Sequence, residues 1–171
     1  MKEFFNNVVN FLRNVWKWRV ILWHDHDWDS GYLFDVMKFK VDDLYNGINK
    51  YRNHVDYEND LRWLRITSKL IDRVNTEWYQ CEYQDYLVTK IKWVDVVGEP
   101  NLQEIEFETV SDNTMEYIKK YKNNYRLMGK ETPITITSVR SIPLHLAHYN
   151  HNKARKLLFK IIEEKIEGWW D

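Results

Sequence analysis

With a single cysteine, Cys81, the chain cannot close an internal disulfide, and that thiol usage suits a reducing compartment. Three prolines and five glycines in 171 residues supply few chain breakers, which argues for long helices and against a turn-rich β-sandwich. An excess of one charge is also lacking. Against 25 basic residues stand 26 acidic ones, a formal net charge of −1, so no global field steers the protein onto nucleic acid or an anionic bilayer. An anionic partner must be held by a local patch. Long apolar runs are missing as well: Val20-Ile21-Leu22-Trp23 is far too short to span a bilayer, and the first residues, Met1-Lys2-Glu3-Phe4-Phe5, open no stretch of signal-peptide length. The expectation is a cytoplasmic protein with no membrane partner, and nucleic acid is not favoured.

What is present in excess is aromatic: nine Trp, eleven Tyr and seven Phe. Each Trp brings a large apolar area and one N–H that wants a partner, so so many rings imply a heavily aromatic core or a ring-lined pocket. A hydrophobic share of 44% is ample for a core at this length, which suits one domain spanning 1–171.

Hydrophobic periodicity places the elements. Phe4, Phe5, Val8, Leu12, Val15 and Trp16 recur at three- and four-residue spacing and predict an amphipathic helix over 3–17, followed by a strand or buried connector over 19–23. A second helix is predicted over about 30–52, with Asp29 or Ser30 as its N-cap. A third runs from Tyr57 to Tyr83 or beyond on a broad stripe that includes Leu64, Ile71 and Val74. The Val- and Ile-rich stretch 87–97, a turn at Gly98-Glu99-Pro100-Asn101, and the period-two alternation over 104–108 predict a hairpin with a half-buried second strand. A fourth helix over about 114–127, a strand over 134–139 and a last helix after Pro143 complete the chain. The fold class is therefore mainly α, a helical bundle-like single domain with a small β element at about 87–139.

Chemistry concentrates in two places. His24-Asp25-His26-Asp27-Trp28-Asp29 packs five ionisable side chains into six residues, and in an extended chain His24 and His26 share one face. His-x-His is a common part of a metal site. The Asp-x-Asp-x-Asp spacing fails as a calcium loop, because the glycine falls one residue late and Val36 stands where a bidentate Glu belongs. The alternative is that Asp27 or Asp29 caps the next helix and the histidines are solvated. The second place is His145, His148 and His151, whose spacing of three spreads them over about a third of a helix circumference. If a metal is bound, His24, His26, His145 and His148 are its candidates; the alternative is a solvated histidine-bearing face, and no metal or other cofactor is expected. No Gly-rich phosphate loop, serine elbow or Cys/His nucleophile pattern occurs, and Cys81 reads as a packing residue. Basic stretches at 119–126 and at Lys153, Arg155 and Lys156 offer phosphate contacts beside tyrosines, or are ordinary solvated helix faces. Arg140, between Ser138 and Ser141 in a loop after the predicted strand, is the better anion-binding candidate.

Two stretches, Trp28-Asp29-Ser30-Gly31-Tyr32-Leu33 within 23–52 and Lys153-Ala154-Arg155-Lys156-Leu157-Leu158 running to Gly168-Trp169-Trp170-Asp171, resemble small uncharacterised accessory proteins encoded by tailed bacteriophages. The resemblance covers under a third of the chain and transfers no functional residue. It implies an accessory, anti-defence role. With the aromatic excess, the expected function is binding and sequestering a nucleotide-derived signalling ligand, using Trp23, His24, His26, Trp28, Arg140, Ser141, His145 and His148. Two other readings are a metal- or His-dependent phosphodiesterase acting on such a nucleotide and an inhibitor that binds a host protein. A homo-oligomer is compatible with all three.

Overall fold

The computed structural model describes residues 2–23, 30–52, 55–96, 98, 102–131 and 141–169. Within them the chain is mainly α with one small antiparallel sheet. The order is α1 (Lys2–Trp23), α2 (Ser30–Tyr51), α3 (Tyr57–Asn75), α4 (Trp78–Gln84), β1 (Leu87–Asp95), β2 (Gln103–Asp112), α5 (Thr114–Lys120), α6 (Lys122–Glu131) and α7 (Ile142–Lys165), closed by a short 3₁₀ turn, Glu167–Trp169. Two compact units emerge, one of residues 1–75 with 161–171 and one of residues 76–160.

In the first unit, α2 and α3 form an antiparallel pair whose apolar stripes supply Val41 and Ile48 on one side and Leu64, Leu70, Ile71 and Val74 on the other. Leu64 and Ile71 are fully buried, each contributing about 1.5–3 kcal/mol of transfer free energy. Thr67 is equally buried and satisfies its hydroxyl by donating to the Trp63 carbonyl at 2.9 Å. The helix predicted over 3–17 continues without interruption to Trp23, so the expected strand or connector over 19–23 is a helical turn instead. Ile21 falls three residues after Trp18 and prolongs the one stretch of α1 that packs: the Trp18 ring lies 4.5 Å from that of Phe39, and Lys17 pairs with Asp43 at 2.5 Å. Phe4, Phe5, Leu12 and Trp16 remain exposed, although their spacing predicts a buried stripe. The side chains of Asp29 and Ser30, the expected N-cap of α2, lie outside the described residues.

The helix predicted from Tyr57 through Tyr83 is broken at Thr76–Glu77. Glu77 takes a left-handed conformation (φ 49°), which ends α3 and restarts the chain as α4. Cys81, expected to pack, is exposed on α4. The second unit then builds its core from tyrosines. Tyr117 is fully buried, with the rings of Tyr83, Tyr86 and Tyr121 at 5.9, 5.4 and 4.9 Å in edge-on and tilted arrangements. Met128, Leu146 and Ala147 close the cluster.

The hairpin forms from β1 and β2, and of the expected turn residues the described Gly98 takes φ 93°, a value that only glycine adopts freely. The sheet spans 87–112; the strand expected over 134–139 lies outside the described residues. A bulge at Val88/Thr89 shifts the register. At its end, Asp112 accepts from the Thr114 amide (3.2 Å) and hydroxyl (2.6 Å), placing a carboxylate at the N-terminus of α5, where the unpaired amides and the helix dipole favour it. The helix predicted over 114–127 is interrupted at Tyr121, and its second half, α6, reaches Glu131. Pro143 sits in the first turn of α7, where its missing N–H costs nothing.

Candidate functional site

The sequence candidates fare unevenly. His24, His26, Trp28 and Arg140 lie outside the described residues. Trp23 ends α1 almost fully exposed, at 84%. Ser141 precedes α7, while His145 and His148 are exposed on it and His151 is half-buried. Among the described residues, no three His, Cys, Asp or Glu side chains are grouped to hold a metal ion, so His145, His148 and His151 do not form such a set. His151 instead has a buried Nδ1 without a hydrogen-bond partner, and burial pulls its pKa below the usual imidazole value; Arg155 and His148 act in the same direction and Glu77 against it.

A cleft opens between α6 and α7. On α7, Tyr149, Asn152, Lys153 and Lys156 are spaced at i, i+3, i+4 and i+7, which lines them up along one face. On α6, Asn123, Arg126, Leu127, Lys130 and Glu131 repeat the same spacing. These stripes bound a cleft of about 510 Å³ lined by Leu127, Glu131, Tyr149, Asn152, Lys153 and Lys156. A smaller hollow of about 220 Å³ shares Leu127 and is lined by Asn123, Arg126 and Lys130.

Its geometry is set by carboxamides. Asn124 of α6 donates to the Oδ1 of Asn150, a nearly fully buried residue of α7, at 2.7 Å, and Lys153 donates to the Asn124 Oδ1 at 2.8 Å. Among the described residues, Arg126, Lys130 and Lys156 are in no ion pair within 4 Å. The Tyr149 hydroxyl is raised in pKa, first by burial and then by its hydrogen bond to Glu131 and that carboxylate's charge. The cleft thus presents a phenol ring, an amide, an aliphatic wall, the Glu131 carboxylate and cations that are in no close ion pair.

His145 falls one turn ahead of Tyr149 on the same stripe without lining the cleft, whereas His148 is rotated off it. The basic residues Lys153 and Lys156 stand out in the sequence; Tyr149 and Asn152 do not. The signal that finds them is the shared i, i+3, i+4, i+7 stripe, hidden by the more conspicuous histidines threaded between.

The hairpin offers a second surface. Ile91 pairs with Phe107 and Trp93 with Ile105 on one face, while Lys90 opposes Glu108 and Lys92 opposes Glu106 on the other. The apolar four are 47–69% exposed, so the half-burial expected for the second strand is not found.

Among the described residues, no helix is long and apolar enough to cross a membrane. Comparison with known protein families, curated proteins and solved structures finds no match to this chain.

Proposed function

We propose that the protein binds and holds an anionic small molecule of the nucleotide class in the cleft between α6 and α7. The supporting observation is the convergence there of Tyr149, Asn152, Lys153 and Lys156 around a volume within the usual range for ligand sites, roughly 300–1,000 Å³. Tyr149 can stack on a base, Asn152 can read its edge, and the cations can take its phosphates, with Arg126 and Lys130 as a continuation along α6. In a protein resembling phage accessory proteins, such a site suits sequestration of a nucleotide-derived immune signal in the host cytoplasm, as a sponge. The cleft stands beside the sequence-derived set that includes His24, His26, Trp28 and Arg140, which lie outside the described residues.

The test is mass spectrometry of small molecules that co-purify with the chain, followed by titration with ADP-ribose and cyclic dinucleotides. Saturable binding with intact ligand on recovery is expected. Tyr149→Ala should weaken binding by about 5- to 150-fold, the usual range for losing one base-stacking ring. A chemically altered nucleotide on recovery would replace sequestration by the hydrolase reading. Undiminished binding by the Tyr149→Ala, Lys156→Ala double variant would place the ligand elsewhere.

A further inference from the structure

An isolated two-stranded sheet is marginal in water at best, and stability comes from covering an apolar face. Among the described residues, the face carrying Ile91, Trp93, Ile105 and Phe107 is left exposed, and its side chains form one contiguous two-by-two block. We infer that a second copy of this chain covers it, apolar face on apolar face, about a two-fold axis.

The pattern of the block points to self-association rather than to a different partner. Ile91 lies beside Phe107, and Trp93 beside Ile105, so the two rings occupy one diagonal and the two isoleucines the other. Turning this array over about either in-plane two-fold axis sets every ring of one copy above an isoleucine of the other. Large thus meets small at all four positions, the arrangement in which facing layers interdigitate. An isologous interface requires this kind of self-complementarity.

Charge agrees with the shape. The block is bounded at one end by the Thr89/Thr109 pair and at the other by Asp95, which accepts from Gln103 at 2.8 Å. No cation lies in the block, so it has nothing to offer an anionic lipid surface, and two copies meet without like-charge repulsion. The lysines and glutamates of the reverse face alternate across the strands and keep that side in water.

Area is sufficient. With large side chains presenting about 100–200 Å² each, a symmetric pair removes on the order of 1,000 Å² from water, the threshold for a specific interface.

Sedimentation velocity of the full chain across the micromolar range tests this. A concentration-dependent monomer–dimer equilibrium is expected. Phe107→Lys should weaken it by about 30-fold or more, as for a central interface residue, while Lys92→Ala on the reverse face should leave it intact. Far-UV circular dichroism checks that the helices persist in Phe107→Lys. Should that variant fail to fold, the wild-type chain decides: in an equal mixture of methyl-labelled and unlabelled copies, intermolecular NOEs are expected from the Ile91 and Ile105 methyls to aromatic ring protons. A wild-type monomer throughout, a dimer untouched by Phe107→Lys, or absence of those NOEs overturns the inference; capture of a different protein on this face by a monomeric chain does so too. Phe107 is remote in sequence from the cleft residues, so nucleotide binding by Phe107→Lys reports on the proposed ligand site separately.

Discussion

Lys38 of α2 reaches Asp72 of α3 at 2.7 Å, one rung of a ladder along the two helices. Asn75 donates to Asp35 at 3.0 Å, Ser68 to Asp42 at 2.7 Å, and Arg65 to the Tyr45 hydroxyl at 2.8 Å. Steps of three, four and three along α2 are matched by the same steps backward along α3. These polar rungs flank the apolar seam and fix the register of the pair. Their energy is modest because they are wet: the Lys38 and Asp72 side chains are 35% and 51% exposed. A double-mutant cycle on Lys38 and Asp72 should return a coupling of about 0.2–1 kcal/mol that shrinks with added salt.

The seam itself carries the stability. Leu64→Ala should cost about 2–5 kcal/mol by urea denaturation, since Leu64 is fully enclosed and its neighbours can only partly collapse into the cavity. A loss under about 1 kcal/mol would mean that this helix pair is not tightly packed in solution.

Glu82 ties α4 to α5. Its carboxylate accepts from Lys120 and, at 2.5 Å, from the Tyr121 hydroxyl, with its own side chain only 9% exposed. Replacing it by alanine strands a half-buried phenol, while Lys120, about half exposed, can return to water. Glu82→Ala should therefore cost about 1–3 kcal/mol, also by urea denaturation. Glu82→Gln, which keeps one acceptor, should cost less.

The tyrosine core has a pH signature. Burial raises the Tyr83 hydroxyl and pushes Tyr117 up to about 12; Tyr121 is raised furthest, by burial and then by Glu82. A folded-state pKa above the unfolded value of 10.0 favours the folded protein while the phenols are neutral. This contribution is complete below pH 10 and is lost as pH rises through the folded-state values. Phenolate absorbance should show a subset of the eleven tyrosines resisting ionisation until the helices melt.

His151 works in the opposite sense. Its folded-state pKa lies below 6.5, so its contribution is present at neutral pH and is lost as pH falls through the lowered value, because the unfolded chain takes up the proton more readily. Against the wild type, His151→Gln should lose less stability between pH 7 and pH 5, measured by thermal denaturation at each pH.

The sequence reads well where the signal is local. Asn and Gly in the turn region and period-two alternation locate the hairpin, and the α2 stripe ends within one residue of Tyr51. It reads poorly where one backbone angle decides. The break between α3 and α4 contains neither Gly nor Pro; it rests on a positive φ at Glu77, which no propensity marks. The β-branched run at Val20-Ile21 invites a strand, yet its spacing after Trp18 continues a helical stripe. Alternation also says which face of a strand is apolar without saying what lies over it, so Ile105 and Phe107 read as half-buried when they are exposed. At the cleft, Lys153 and Lys156 are visible in the sequence, but their relation to Tyr149 exists only once 142–165 is one helix.

The bond from Lys153 to Asn124 differs in kind from the Lys38–Asp72 rung of the first unit. A carboxylate would hold the ammonium group and cancel its charge in the same act; a carboxamide fixes its position and leaves the charge on offer. For the anionic ligand proposed for this cleft, Lys153 is then a donor already in place, with Glu131 the one carboxylate among the lining residues. Capture should be fast, and the grip should slacken steeply as ionic strength rises.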